Sequence, residues 1–117
     1  MKLSSKFENK RKDLEFISEK TRYKILLTLL AEDSLSFTQL RDLLSSISEN
    51  NLNYHIKILK ENGYIKNKKV QDYKRSESRS FYSLSNHTIE LLHDLGLTNV
   101  KRELHALLHS STDEIGE

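Results

Sequence analysis

Ser36–Ile65 reads SFTQLRDLLSSISENNLNYHIKILKENGYI, and this stretch decides the fold. It opens on Ser36-Phe37-Thr38-Gln39, a capping box. The Ser36 hydroxyl can accept from the Gln39 N–H while the Gln39 side chain reaches back. Phe37, Leu40, Leu43 and Leu44 follow on one helical face, so a short amphipathic helix starts here. Ser45-Ser46-Ile47 makes a turn. Ser48 is a good N-cap for a second helix, Glu49 to Asn62, with Ser46 and Glu49 as a weaker alternative. Leu52, Ile56 and Leu59, at i, i+4 and i+7, mark its inward face, with Ile58 on the flank. Gly63 supplies the left-handed stop. Two short helices across a brief turn predict a helix-turn-helix.

Working outward, Tyr64–Val70 and Arg79–Leu84 read as strands of a hairpin. The join over 71–78 is polar apart from Tyr73 and runs to about eight residues, longer than a tight turn. Upstream, Thr21–Ala31 is the clearest core helix, because Ile25, Leu26, Leu27, Leu29 and Leu30 cover most of its circumference. Ser5–Ile17 carries only a thin stripe of Phe7, Leu14 and Ile17, interrupted by Lys10 and Arg11. Such a stripe is too thin for a core helix; it fits against a partner chain, or frays. After the hairpin, Asn86 can cap a helix to Leu95 with Ile89, Leu91, Leu92 and Leu95 as its apolar set. Thr98 can cap a last helix to about His109. Val100, Leu104, Leu107 and Leu108 form its stripe.

In a helix-turn-helix the second helix enters the major groove. Its outward residues here are Asn50, Asn51, Asn53, Tyr54 and Lys57. Asparagine can pair bidentately with adenine, and lysine can reach guanine or phosphate. Three asparagines within one turn cost helix propensity, which a used surface would explain. The plainer alternatives are an ordinary polar face, a solvated Lys57, Asn50 as a second cap and Tyr54 as a packing residue. The hairpin carries Lys68, Lys69, Lys74, Arg75 and Arg79 with little apolar surface to bury. A basic hairpin beside a reading helix would grip phosphates or the adjacent minor groove.

Other classes fall away. The 117 residues suit one domain, 36% apolar and 31% charged, with a formal net charge of only +2, so the placement of charge matters more than its sum. Cysteine is absent, which removes disulfides, thiolate nucleophiles and thiolate metal sites. No apolar run spans a membrane, and the start lacks a signal-peptide core, so a cytoplasmic location is expected. No phosphate-binding glycine loop or nucleophile elbow is present, so neither an enzyme nor a cofactor is expected. His105 and His109 stand at i, i+4, a spacing that can turn two imidazoles toward one ion. Two histidines do not make a site, however, and no third ligand has convincing spacing. They read as solvent-facing or interface residues. His55, beside the inward face of its helix, reads as structural.

Thr21-Arg22-Tyr23-Lys24-Ile25-Leu26, together with Asn53-Tyr54-His55-Ile56-Lys57-Ile58-Leu59-Lys60-Glu61-Asn62-Gly63-Tyr64-Ile65, resembles the ArsR-type winged-helix transcriptional regulators. The resemblance covers residues 14 to 85. It implies a mainly α chain with a small β-hairpin, a winged helix-turn-helix with N- and C-terminal dimerisation helices. Residues 1–18 and 86–110 would form those helices within a single domain over 1–117, and 111–117 would be a flexible tail. It further implies a homodimer that binds double-stranded DNA at an inverted repeat to regulate transcription. Many members sense metals through a cysteine pair on the recognition helix, and this chain has none. The wing also lacks the glycine that many members carry at its tip. A winged-helix protein–protein interaction module is the alternative function, kept open by the modest net charge.

Overall fold

The computed structural model describes residues 4–72 and 77–114. The local signals around the turn act as expected. Gln39 N–H donates to Ser36 Oγ at 3.2 Å and Ser36 N–H to Gln39 Oε1 at 2.9 Å, closing the box that starts α3, Phe37–Leu43. Asn51 N–H donates to Ser48 Oγ at 3.2 Å, so Ser48 starts α4, Glu49–Glu61. At the far end Gly63 takes φ +79°. Tyr64 N–H reaches Leu59 O at 2.9 Å and Gly63 N–H reaches Lys60 O at 3.2 Å, the paired bonds of a Schellman stop. That stop turns the chain directly into the hairpin.

The hairpin consists of β2, Ile65–Asp72, and β3, Glu77–Leu84, paired antiparallel from Ile65↔Leu84 to Asp72↔Glu77. Its strands are longer than expected, and the join shrinks to 73–76, outside the described residues. Apolar alternation reports a buried face, whereas the added ladder positions Gln71, Asp72, Glu77 and Ser78 are all polar in sequence. A third strand, β1 at Ser34–Ser36, is not expected from the sequence: three residues carry no readable period. It pairs with β3, giving the order β1-β3-β2, and sets buried Leu35 opposite Tyr82.

The core is built on α2, Lys20–Glu32, whose Ile25, Leu26, Leu29 and Leu30 are buried. Leu40, Leu52, Leu59 and Leu92 close around it and are fully buried. Helix α5, Asn86–Asp94, is capped by Ser85 rather than Asn86. The Ser85 and Thr88 hydroxyls also donate to the Tyr64 carbonyl, at 3.1 and 2.7 Å. The expected cap Thr98 instead lies in a 3-10 turn, Leu97–Val100. Helix α6 follows as Lys101–Glu114, past the expected end near His109. Of the tail expected over 111–117, residues 115–117 lie outside the described residues.

Helix α1, Ser5–Ile17, is more firmly docked than its stripe suggests. Ile17 is in the core, and Phe16 stacks on Tyr64 with ring centroids 4.7 Å apart. Tyr64 Oη donates to Asp13 Oδ1 at 2.6 Å, and His87 Nε2 lies 3.0 Å from Asp13 Oδ2. Burial first, then the bond to Asp13, pushes the Tyr64 phenol well above its ordinary range. Phe7 and Leu14 stay exposed. On α6, Leu104 packs against the core while Leu107 is exposed. Among the described residues no helix is long and apolar enough to cross a membrane.

Candidate nucleic-acid interface

Helix α4 divides cleanly. Leu52, His55, Ile56 and Leu59 are buried, while Asn50, Asn51, Asn53, Tyr54 and Lys57 are exposed. Tyr54 keeps 58% of its surface open, so it is not a core residue. Ser48 fills the cap, which leaves Asn50 without that task. Among the described residues, no side-chain hydrogen bond occupies the amides of Asn50, Asn51 or Asn53. Their donors and acceptors therefore face outward together. Arg41 Nη1 lies 3.5 Å from Glu49 Oε1 and spans from α3 to the first turn of α4. Both groups are exposed, so the pair adds little stability.

The buried side of α4 is held by an arrangement that no local signal reveals. Glu19 caps α2 by accepting from Arg22 N–H at 2.9 Å. Arg22 Nε donates to Phe16 O at 2.7 Å, and its guanidinium sits 4.4 Å from the Phe16 ring centre. Arg22 Nη1 then lies 3.4 Å from His55 Nδ1, with Glu19 Oε2 at 3.7 Å from the same nitrogen. Burial pushes the Glu19 carboxyl up. The N–H groups of Arg22 and Thr21 and the charges of His55 and Arg22 outweigh this and hold it below its ordinary value. His55 is thus structural, as expected. Arg22, known from sequence only as half of a family pair, is what clamps α1, α2 and α4 together.

The hairpin cations do not share one face. Directly paired residues of a ladder point to the same side, and sides alternate along each strand. Ile65 and Leu84 pair and are buried, so Lys69 and Ser80 continue that helix-facing side. Lys68, opposite Phe81, and Arg79, opposite Val70, lie on the other side. Lys68, Lys69 and Arg79 are all exposed. Lys74 and Arg75 lie outside the described residues. A hairpin with cations on both faces can meet phosphates from either side of its strands. His105 and His109 are elsewhere, one turn apart on α6 and against Glu32 of α2.

Residues 17–65 match the helix-turn-helix domain family. That span runs from the end of α1 to the first residue of β2. No curated protein matches the sequence as a relative. Several solved structures are similar. One is a protein with a GntR-superfamily winged-helix-turn-helix domain from Halomicrobium mukohataei, 19% identical, covering 93% of this chain and 79% of that one, with a TM-score of 0.77. Another is a MarR-family transcriptional regulator from Enterococcus faecalis V583, 16% identical over 95% and 96% of the two chains, with a TM-score of 0.67. A third is the reduced form of the transcriptional regulator YodB from B. subtilis, 16% identical over 93% and 94%, with a TM-score of 0.61. At these identities the similarity establishes the fold. The chain has a winged helix-turn-helix fold, with α3 and α4 as the helix pair and β2–β3 as the wing.

Proposed function

We propose that the chain is a sequence-specific double-stranded DNA-binding regulator of transcription that acts as a homodimer at an inverted repeat, without a catalytic role. One observation carries this reading. Helix α4 presents three amides and Lys57 on its exposed side, and Gly63 links it without a spacer to a hairpin bearing Lys68, Lys69 and Arg79. In this reading Asn50, Asn51, Asn53, Tyr54 and Lys57 meet base edges or flanking backbone. Lys68, Lys69, Lys74, Arg75 and Arg79 hold phosphates. The Thr21-Arg22 pair and the His55–Gly63 run favour an ArsR-type regulator working in the cytoplasm.

Exposed Phe7 and Leu14 on α1, with Val100 and Leu107 at the other end of the chain, supply the expected dimer surface. A two-fold dimer would place its α4 helices about 34 Å apart, one turn of duplex. Selection from random duplex DNA tests the reading. The expected product is an inverted repeat with half-site centres about 10 base pairs apart. Recovery of no preferred sequence, with capture of a partner protein in its place, would instead identify the winged-helix protein-interaction module.

A further inference from the structure

The sequence offers two imidazoles one turn apart and no third ligand; the fold brings one. Glu32, the last residue of α2, stands against α6. Its Oε1 lies 3.1 Å from His105 Nδ1 and 2.5 Å from His109 Nε2. Each side chain can offer one donor atom, and the three atoms lie within 4.8 Å of one another. The imidazole centroids are 4.4 Å apart and the rings are tilted by 46°, so both converge on the carboxylate. Glu32 keeps only 14% of its side chain exposed, whereas His105 and His109 keep 54% and 53%. The result is a nearly buried carboxylate with one open side.

A carboxylate in this position calls for a cation. The last turn of a helix presents unpaired carbonyls, whose partial negative charge disfavours an anion. Burial removes the water that would otherwise offset this. The nearby ammonium of Lys101 donates to Asp33 Oδ1 at 2.5 Å. One carboxylate oxygen and two imidazole nitrogens suit a borderline divalent transition metal. Magnesium and calcium prefer oxygen donors throughout. Tetrahedral bonds of about 2.0–2.2 Å set donor atoms roughly 3.3 Å apart. The pair at 3.1 Å opens by about 0.2 Å and the pair at 2.5 Å by about 0.8 Å, within the reach of side-chain torsions.

We propose that Glu32, His105 and His109 form a binding site for a divalent transition-metal ion of the zinc type. Water, or another oxygen donor, takes the fourth position. His105 also lines an open cavity of about 650 Å³ beside the site, together with Glu103, Lys101, Thr98 and Ala31. The ion fastens α6 to the end of α2, adding a metal bond to a helix that Leu104 anchors to the core. All three ligands come from one chain, so the site stands whether or not the DNA reading does.

Calorimetry with Zn²⁺ on the full chain tests this. Wild type is expected to bind one ion per chain, and its thermal midpoint should rise with Zn²⁺. Glu32→Gln and the His105→Ala/His109→Ala double variant should each bind about tenfold or more weakly and lose the rise in midpoint. His93→Ala, at an exposed position of α5, should bind as wild type, and Mg²⁺ should produce neither heat nor shift. Circular dichroism without metal shows whether Glu32→Gln is folded. If it is not, the double variant alone decides, because both histidines are exposed. No binding by wild type, equal affinity in the double variant, equal loss in His93→Ala, one ion per two chains, or an equal response to Mg²⁺ would each overturn the site.

Discussion

At Glu19 two effects oppose each other: burial raises the carboxyl, while N–H donors and nearby cations lower it and prevail. A group whose folded pKa is depressed stabilises the fold above its unfolded pKa. It loses that contribution as pH falls through the folded value. Unfolding followed between about pH 6 and pH 3 should therefore show stability falling on acidification. Glu19→Gln should flatten part of that slope; an unchanged slope would contradict the assignment. Tyr64 gives a second check. Tyr64→Phe removes the 2.6 Å bond to Asp13 and leaves a half-buried carboxylate beside a bare ring edge. The expected cost is about 1–3 kcal/mol by urea denaturation, with a cost near zero as the contrary result. Ser36, Ser48 and Gly63 are legible in sequence because a cap or a stop is satisfied within a few residues. The Glu19–Arg22–His55 clamp is not, because His55 comes from α4 while Glu19 and Arg22 stand at the start of α2, and only packing joins them.

At the scale of elements, an apolar stripe at helical spacing marks each described α-helix, deeply buried in α2 and α4 and only partly in α6. The sequence reading misses β1, places the cap of α5 one residue late, and cuts the wing strands short. Gln71, Asp72, Glu77 and Ser78 are all polar, so no apolar period extends the strands to them. The wing therefore needs a test of its own. Lys68→Ala and Arg79→Ala should weaken binding to all duplexes alike. Each should also reduce the slope of log affinity against log salt by about 0.9 for every phosphate it no longer neutralises. An unchanged slope would remove these residues from the interface. Gly63→Ala tests the joint between α4 and the wing. The open space around Gly63 leaves its positive φ as the constraint. The expected cost is about 1 kcal/mol of stability, and a neutral substitution would mean that the turn relaxes.

For the whole molecule, the thin apolar stripes at the two ends of the chain divide into inward and exposed residues. Ile17 and Leu104 turn inward, while Phe7, Leu14, Val100 and Leu107 remain exposed at 59%, 40%, 38% and 61%. The sequence could not separate the inward residues from the exposed ones, since one stripe carries both. If the exposed set forms the dimer surface, Phe7→Glu/Leu107→Glu should sediment as a folded monomer and bind DNA more weakly than wild type. A persistent dimer would place the interface elsewhere. The proposed readout by α4 meets its most direct test in the affinities of wild type, Asn51→Ala and Asn53→Ala for the selected duplex and its single-base variants. Readout of base edges by these amides predicts that each variant loses about 1–3 kcal/mol of discrimination at particular positions and keeps its non-specific affinity. Equal weakening on every duplex would contradict it.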